Sequence, residues 1–117
     1  MKKLLLILIL GFGLTAFSQD STNAFDYNYK KGMEHYNKGV DKINNSTLEA
    51  PPDVDSSIVA AAKIEFNKAL PFLLKAYSIN PKNEKVLIAL QGVYFSLNDF
   101  EKSDRYKKEL ESLKKKN

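Results

Sequence analysis

Apolar residues recur along most of this chain at intervals of three and four, the period of a helix with one buried side. Phe25, Tyr29, Gly32, Met33 and Tyr36 open the pattern, and Val40 and Ile43 continue it. They predict a first helix over 23–45, with Gly39 as its weak point, since glycine costs about 1 kcal/mol in a helix interior. Residues 44–55, NNSTLEAPPDVD, read as a loop because two prolines follow a run of small polar residues. Residues 56–79 predict a second helix capped by Asp55 or Ser56. Its apolar side is Ala60, Ala61, Ile64, Ala69, Leu73, Ala76 and Tyr77. Pro71 lies inside it and predicts a kink, because its ring crowds the Asn67 carbonyl and leaves it no donor. Asn80-Pro81-Lys82-Asn83 is a turn, with Asn83 as the cap of a third helix over 84–97 that buries Val86, Leu87, Leu90, Val93, Tyr94 and Leu97. Asn98 suits a left-handed helix end, and Asp99 suits the cap of a fourth helix. That helix carries Phe100, Tyr106, Leu110 and Leu113, then frays through Lys114, Lys115 and Lys116. Four helices with short turns at 80–83 and 98–99 predict an all-α chain of antiparallel neighbours.

The first 18 residues break this pattern. Lys2 and Lys3 precede an apolar run from Leu4 to Phe17, and Ala16 and Ser18 are the small residues a signal peptidase requires. This reads as a bacterial secretory leader cut between Ser18 and Gln19. Fourteen residues are short for a membrane span, so no integral membrane segment is expected after cleavage. The destination is then the periplasm or the extracellular space. Losing Lys2 and Lys3 lowers the formal charge from +4 to +2. The remaining 99 residues suffice for one small domain. With no cysteine in the chain, neither a disulfide nor a thiolate metal site braces it.

Residues 69–106 narrow the fold further. Ala69, Leu73, Ala76 and Pro81 are followed by Leu87, Leu90 and Tyr94, then by Phe100 and Ser103. In order and spacing this resembles the tetratricopeptide repeat family, in which each 34-residue repeat is a pair of antiparallel helices. The resemblance implies hairpins stacked as a short right-handed superhelix. Residues 69–81 supply the second helix of one repeat and 84–97 the first helix of the next. Lys107 stands where an aromatic is usual and no closing proline follows, which suits a terminal capping helix over about 99–115. Gly32, Tyr36 and Gly39 resemble a repeat opening, with Gly39 as the turn glycine. In that opening Asn28 and Lys31 replace the usual large apolar residues, and His35 takes the tyrosine position. Phe25 and Glu84 are 59 residues apart, which exceeds one repeat by 25, so the resemblance implies an insertion over about 40–65. Two repeats are few for a stable array. The array either caps itself or stacks on another copy or another protein, which makes a homo-oligomer one expected state.

The same resemblance implies a function. First helices of such repeats line a concave groove that takes a protein or peptide. Here the groove positions are Tyr29, Met33, Tyr36 and Asn37, with Lys85, Ile88, Phe95 and Ser96. Tyrosine offers a large contact area at low entropic cost, Asn37 a hydrogen bond to a peptide backbone, and Lys85 a partner for a carboxylate. The competing reading makes Tyr29, Met33 and Tyr36 core beneath the insertion. Lysine and asparagine, which clamp a terminal carboxylate in some family members, are replaced by Tyr29 and Met33, so that mode is not expected.

Other chemistry finds little support. His35 is the only histidine, and in a helix among Tyr and Met it reads as packing or surface. No serine lies in a nucleophile elbow. Asp53-Val54-Asp55 is too short a series of oxygen ligands for a hard cation. The tail from Glu101 reads as a solvated face with i,i+4 partners Glu101–Arg105 and Lys107–Glu111. A basic groove interleaved with stacking aromatics, the mark of a nucleic-acid site, is missing. A non-enzymatic interaction module is therefore expected, without cofactor, metal or nucleic acid. The alternative is a structural or accessory subunit that completes its core by self-association.

Overall fold

The computed structural model describes the backbone over residues 2–49 and 56–115, and side chains over 22–45 and 57–115. Four helices follow one another: α1 (Lys2–Glu49), α2 (Ser56–Ile79), α3 (Glu84–Ser96) and α4 (Phe100–Lys115). Among the described residues there is no strand. The chain measures 71 × 33 × 20 Å. The long dimension is that of α1, whose 48 residues at about 1.5 Å rise each give about 72 Å. Among the described residues no helix is long and apolar enough to cross a membrane.

The first residues of the loop expected over 44–55 are helical, because α1 continues to Glu49. Asn44 to Thr47 are only weak breakers, and extending an existing helix by a residue is cheap. Glu49 is the last position before the residue that precedes Pro51, where a proline disfavours helical geometry. The proline pair itself and Asp55 fall outside the described residues. Nor does α1 turn at Gly39, which is buried in mid-helix.

Packing of α1 on α2 explains both of its buried glycines. A Cβ on Gly32 would stand 2.6 Å from Cγ and Cδ2 of Leu73, and one on Gly39 would stand 2.5 Å from Cε1 of Phe66. Gly32 and Gly39 are seven residues apart, as are Phe66 and Leu73. The helices run antiparallel, so one register satisfies both contacts. The same register brings Tyr29, Tyr36 and Ile43 level with Ala76, Ala69 and Ala62. At Gly32 and Gly39 a small residue therefore receives a large one, which is how facing helices interdigitate without voids.

Ala62, Phe66, Ala69, Leu73 and Ala76 are the buried stripe of α2. This corrects the expected face, since Ala60 is exposed and Ile64 is 57% exposed. Both lie about half a turn away from the stripe. The helix passes unbroken through Pro71. Pro71 and Asn67 are exposed, so the carbonyl without a donor is on the solvent side.

The second hairpin is fixed by local chemistry. Asn83 caps α3 by accepting the Val86 N–H at 3.2 Å. Asn98 has φ 65°. The N–H groups of Asn98 and Asp99 return to the carbonyls of Phe95 (3.0 Å) and Tyr94 (2.9 Å), closing α3. Asp99 then opens α4 by accepting the Lys102 N–H at 3.2 Å. Val86, Leu87, Leu90 and Val93 are fully buried. Ser103, also buried, donates to the Gln91 carbonyl at 2.9 Å, and its small size lets α4 approach α3. Tyr106 stacks on Tyr94 (centroids 5.7 Å apart) and meets Tyr77 edge-on (5.3 Å), tying α4 to both α3 and α2.

Candidate interaction face

The eight residues expected to form a groove occupy two neighbouring helices. α1 and α3 meet where Tyr36 reaches over Gly92, its hydroxyl 2.8 Å from where a Cβ would stand. Tyr36 is half-buried, with its ring 5.7 Å from that of Phe66. Tyr29 and Met33 are also half-buried and pack against the core, with Tyr29 stacked on Phe25 at 6.1 Å. These three side chains thus belong partly to the core and partly to the surface. Asn37 is exposed on the next turn.

On α3 the four positions divide. Lys85 is exposed. Ile88 and Phe95 are 55% and 61% exposed, large values for apolar side chains. Ser96 is half-buried, and its hydroxyl donates to the Gly92 carbonyl of its own helix at 2.9 Å. The helix therefore already uses its one proton. Sequence reasoning treated Phe100 as a hairpin residue and passed over its surface role. It is 55% exposed, and its ring meets Phe95 edge-on at 5.2 Å. Two phenylalanines on either side of Asn98-Asp99 were the signal for this pair, because such a tight turn brings its flanks together.

A second constellation lies elsewhere on the α1–α2 hairpin. His35 Nδ1 is 2.9 Å from Glu65 Oε2. Its ring stacks on Phe72 at 5.8 Å, and Phe72 meets Tyr27 edge-on at 6.5 Å. The hydrogen bond from His35 is the chief cause holding the Glu65 carboxyl below its usual value; partial burial opposes it and Lys68 and Lys38 assist it. Across the molecule, the Tyr77 hydroxyl donates to Glu109 at 2.6 Å. That bond, with burial and the carboxylate charge, pushes the phenol up to about 12. Burial, aided by Tyr94, raises Tyr106 as well.

Two clefts flank the 80–83 turn. One of about 250 Å³ is lined by Thr22, Phe25, Ile79, Asn80 and Asn83. The other, about 260 Å³, is lined by Pro81, Lys82, Leu87, Glu109, Ser112 and Leu113. Neither involves any of the eight groove positions. No group of three or more His, Cys, Asp or Glu with metal-binding geometry occurs among the described residues. Comparison with family models, with characterised proteins and with solved structures finds no match for this chain.

Proposed function

We propose that this chain is an exported, non-enzymatic interaction module of tetratricopeptide-repeat type, acting in the bacterial periplasm or envelope. It binds a protein or peptide on the face where α1 and α3 adjoin. The observation that carries this reading is the exposure of Ile88 and Phe95, at 55% and 61%, beside the Tyr36–Gly92 contact. Large apolar side chains exposed together in this way suit a partner's apolar residues. Tyr36 adds a hydroxyl at the seam, and Asn37 and Lys85 add polar groups at its edge.

The repeat-type reading draws support from the hairpins. Each has a small residue at its close crossing, Gly32 against Leu73 in the first and Ser103 against Gln91 in the second. Relative to the second hairpin, the first has longer arms, in keeping with an insertion over about 40–65. The leader over 1–18 supplies the route of export.

Ile88→Ala combined with Phe95→Ala tests the function. Both side chains are exposed, so stability should stay close to that of the parent. Affinity capture from envelope extract, with the parent and the double variant as baits, should recover a partner with the parent and lose it with the variant. Equal recovery by both would place the binding surface elsewhere.

A further inference from the structure

We infer that a second docking face lies on the flank of the α1–α2 hairpin away from α3, and that it takes an acidic protein segment with a large apolar residue among its carboxylates. Tyr27, Lys31, His35, Lys38 and Lys42 follow one another at intervals of three and four, so they share one side of α1. Glu65, Lys68, Phe72 and Lys75 do the same on α2. The two rows join through the His35–Glu65 bond at 2.9 Å and through the ring contacts of Phe72 with His35 and Tyr27. The other flank of α1 is the one that adjoins α3, where Tyr36 reaches over Gly92.

Positive charge gathers on this face. Lys38, Lys42, Lys68 and Lys75 are exposed and Lys31 is half-buried. The carboxylates beside them are already engaged: Glu34 by Lys31 at 3.7 Å and Lys38 at 3.5 Å, and Glu65 by His35 and by Lys68 at 3.8 Å. Five lysines against these two carboxylates give +3, while residues 19–117 as a whole carry +2, so the rest of that stretch is net negative. Lys42 and Lys75 have no ion-pair partner among the described residues and lie toward opposite ends of the face. From Tyr27 to Lys42 the helix rises about 22 Å, a length that about seven residues of extended chain cover. Lysine meets a carboxylate as a point charge without fixed geometry, which suits acids spread along a flexible segment. Among these charges Tyr27 is well exposed and offers its ring to a large apolar side chain. Phe72 and His35 are half-buried and stacked on each other, so the face lacks the run of open rings on which successive bases would stack.

Fluorescence anisotropy with the chain as purified tests this, using a labelled peptide of glutamate pairs separated by single phenylalanines. The peptide should bind at low salt and let go as salt rises, and its counterpart with glutamine for glutamate should not bind. Lys42→Gln with Lys75→Gln removes two unpaired charges and no packed group. It should weaken binding about threefold to tenfold with helical circular dichroism unchanged, and Tyr27→Ala should weaken binding by at least about threefold. Ile88→Ala with Phe95→Ala should leave binding as in the parent, which keeps this face apart from the one where α1 adjoins α3. A parent that does not bind the peptide overturns the inference, as does equal binding of the glutamine peptide. So does undiminished binding by the lysine variant or by Tyr27→Ala, or a loss caused by the Ile88 and Phe95 pair. Tighter binding of labelled heparin or oligothymidylate, with the same dependence on Lys42 and Lys75, would give the face to another polyanion and overturn it too.

Discussion

Gly39→Ala places the packing of α1 on α2 under a direct test. Two effects oppose each other. Alanine is about 1 kcal/mol better than glycine in a helix interior, so substitution in an isolated helix would stabilise. Inside this seam the new methyl would stand 2.5, 2.8 and 3.0 Å from three ring atoms of Phe66. Phe66 is only 1% exposed and has no free end with which to give way. Overpacking a tight core costs about 1–3 kcal/mol, and the shortest of these approaches argues for the upper part of that range. The net expectation is a loss of about 1–2 kcal/mol, or roughly 4–16 °C in Tm for a domain of this size. Gly92→Ala is the matched control. Its methyl would meet the Tyr36 hydroxyl at 2.8 Å, but that is the outer end of a half-buried side chain that can swing aside. Gly92→Ala should therefore be neutral or gain up to about 1 kcal/mol. Thermal and urea melts followed by circular dichroism report both. Phe66→Leu should partly rescue Gly39→Ala, giving a coupling energy between the two sites. A Gly39→Ala variant that melts above the parent would refute the close seam.

Further outcomes follow from the turn and the titrating groups. Asn98→Gly should stabilise by up to about 1 kcal/mol, because glycine takes the left-handed conformation of that residue without steric cost, whereas Asn98→Val should destabilise measurably in the same melts. Tyr77 has its folded pKa raised to about 12, so its contribution is complete below the ordinary tyrosine value near 10 and is lost as pH rises through about 12. Denaturation in that alkaline window should be steeper for the parent than for Tyr77→Phe; identical slopes would contradict the Glu109 bond. Glu65 has a depressed folded pKa. Its contribution is present above the unfolded carboxyl value and is lost as pH falls through the folded one, so Glu65→Gln should flatten the acid limb of the stability profile.

How legible each feature was in the sequence depended on how local its cause is. Asn83, Asn98 and Asp99 act through bonds to backbone groups within five residues. Their side-chain chemistry announced them. The buried stripe of α2 did not announce itself, since that helix carries apolar residues on opposite sides. Ile64 and Leu73 are equally apolar, and only the seam with α1 decides that one is exposed and the other buried. Phe66 was missed for the same reason, although it fills the socket at Gly39. Gly39 itself read as a turn because a glycine looks the same in sequence whether it bends a chain or admits a neighbour. At the candidate face, Ile88 and Phe95 were pointed to by the resemblance to the repeat family, whereas helical spacing picked out the buried side of α3. The partial burial of Tyr29, Met33 and Tyr36 depended on α2 and α3, and Phe100 became part of the surface through the reversal at Asn98.

The alternation of large and small residues along the α1–α2 seam also acts as an index. Sliding α1 by one position turns its side chains out of the seam altogether. Sliding it by seven keeps its face but moves Gly39 opposite Leu73, or Gly32 opposite Phe66, so that one bulky side chain finds a glycine and the other loses its own. The two helices thus share a single low-energy alignment, set by four residues of the core. That alignment decides which turn of α1 stands beside Gly92, and with it that the hydroxyl of Tyr36 reaches α3. Residues that never touch the surface therefore set the layout of the face that does.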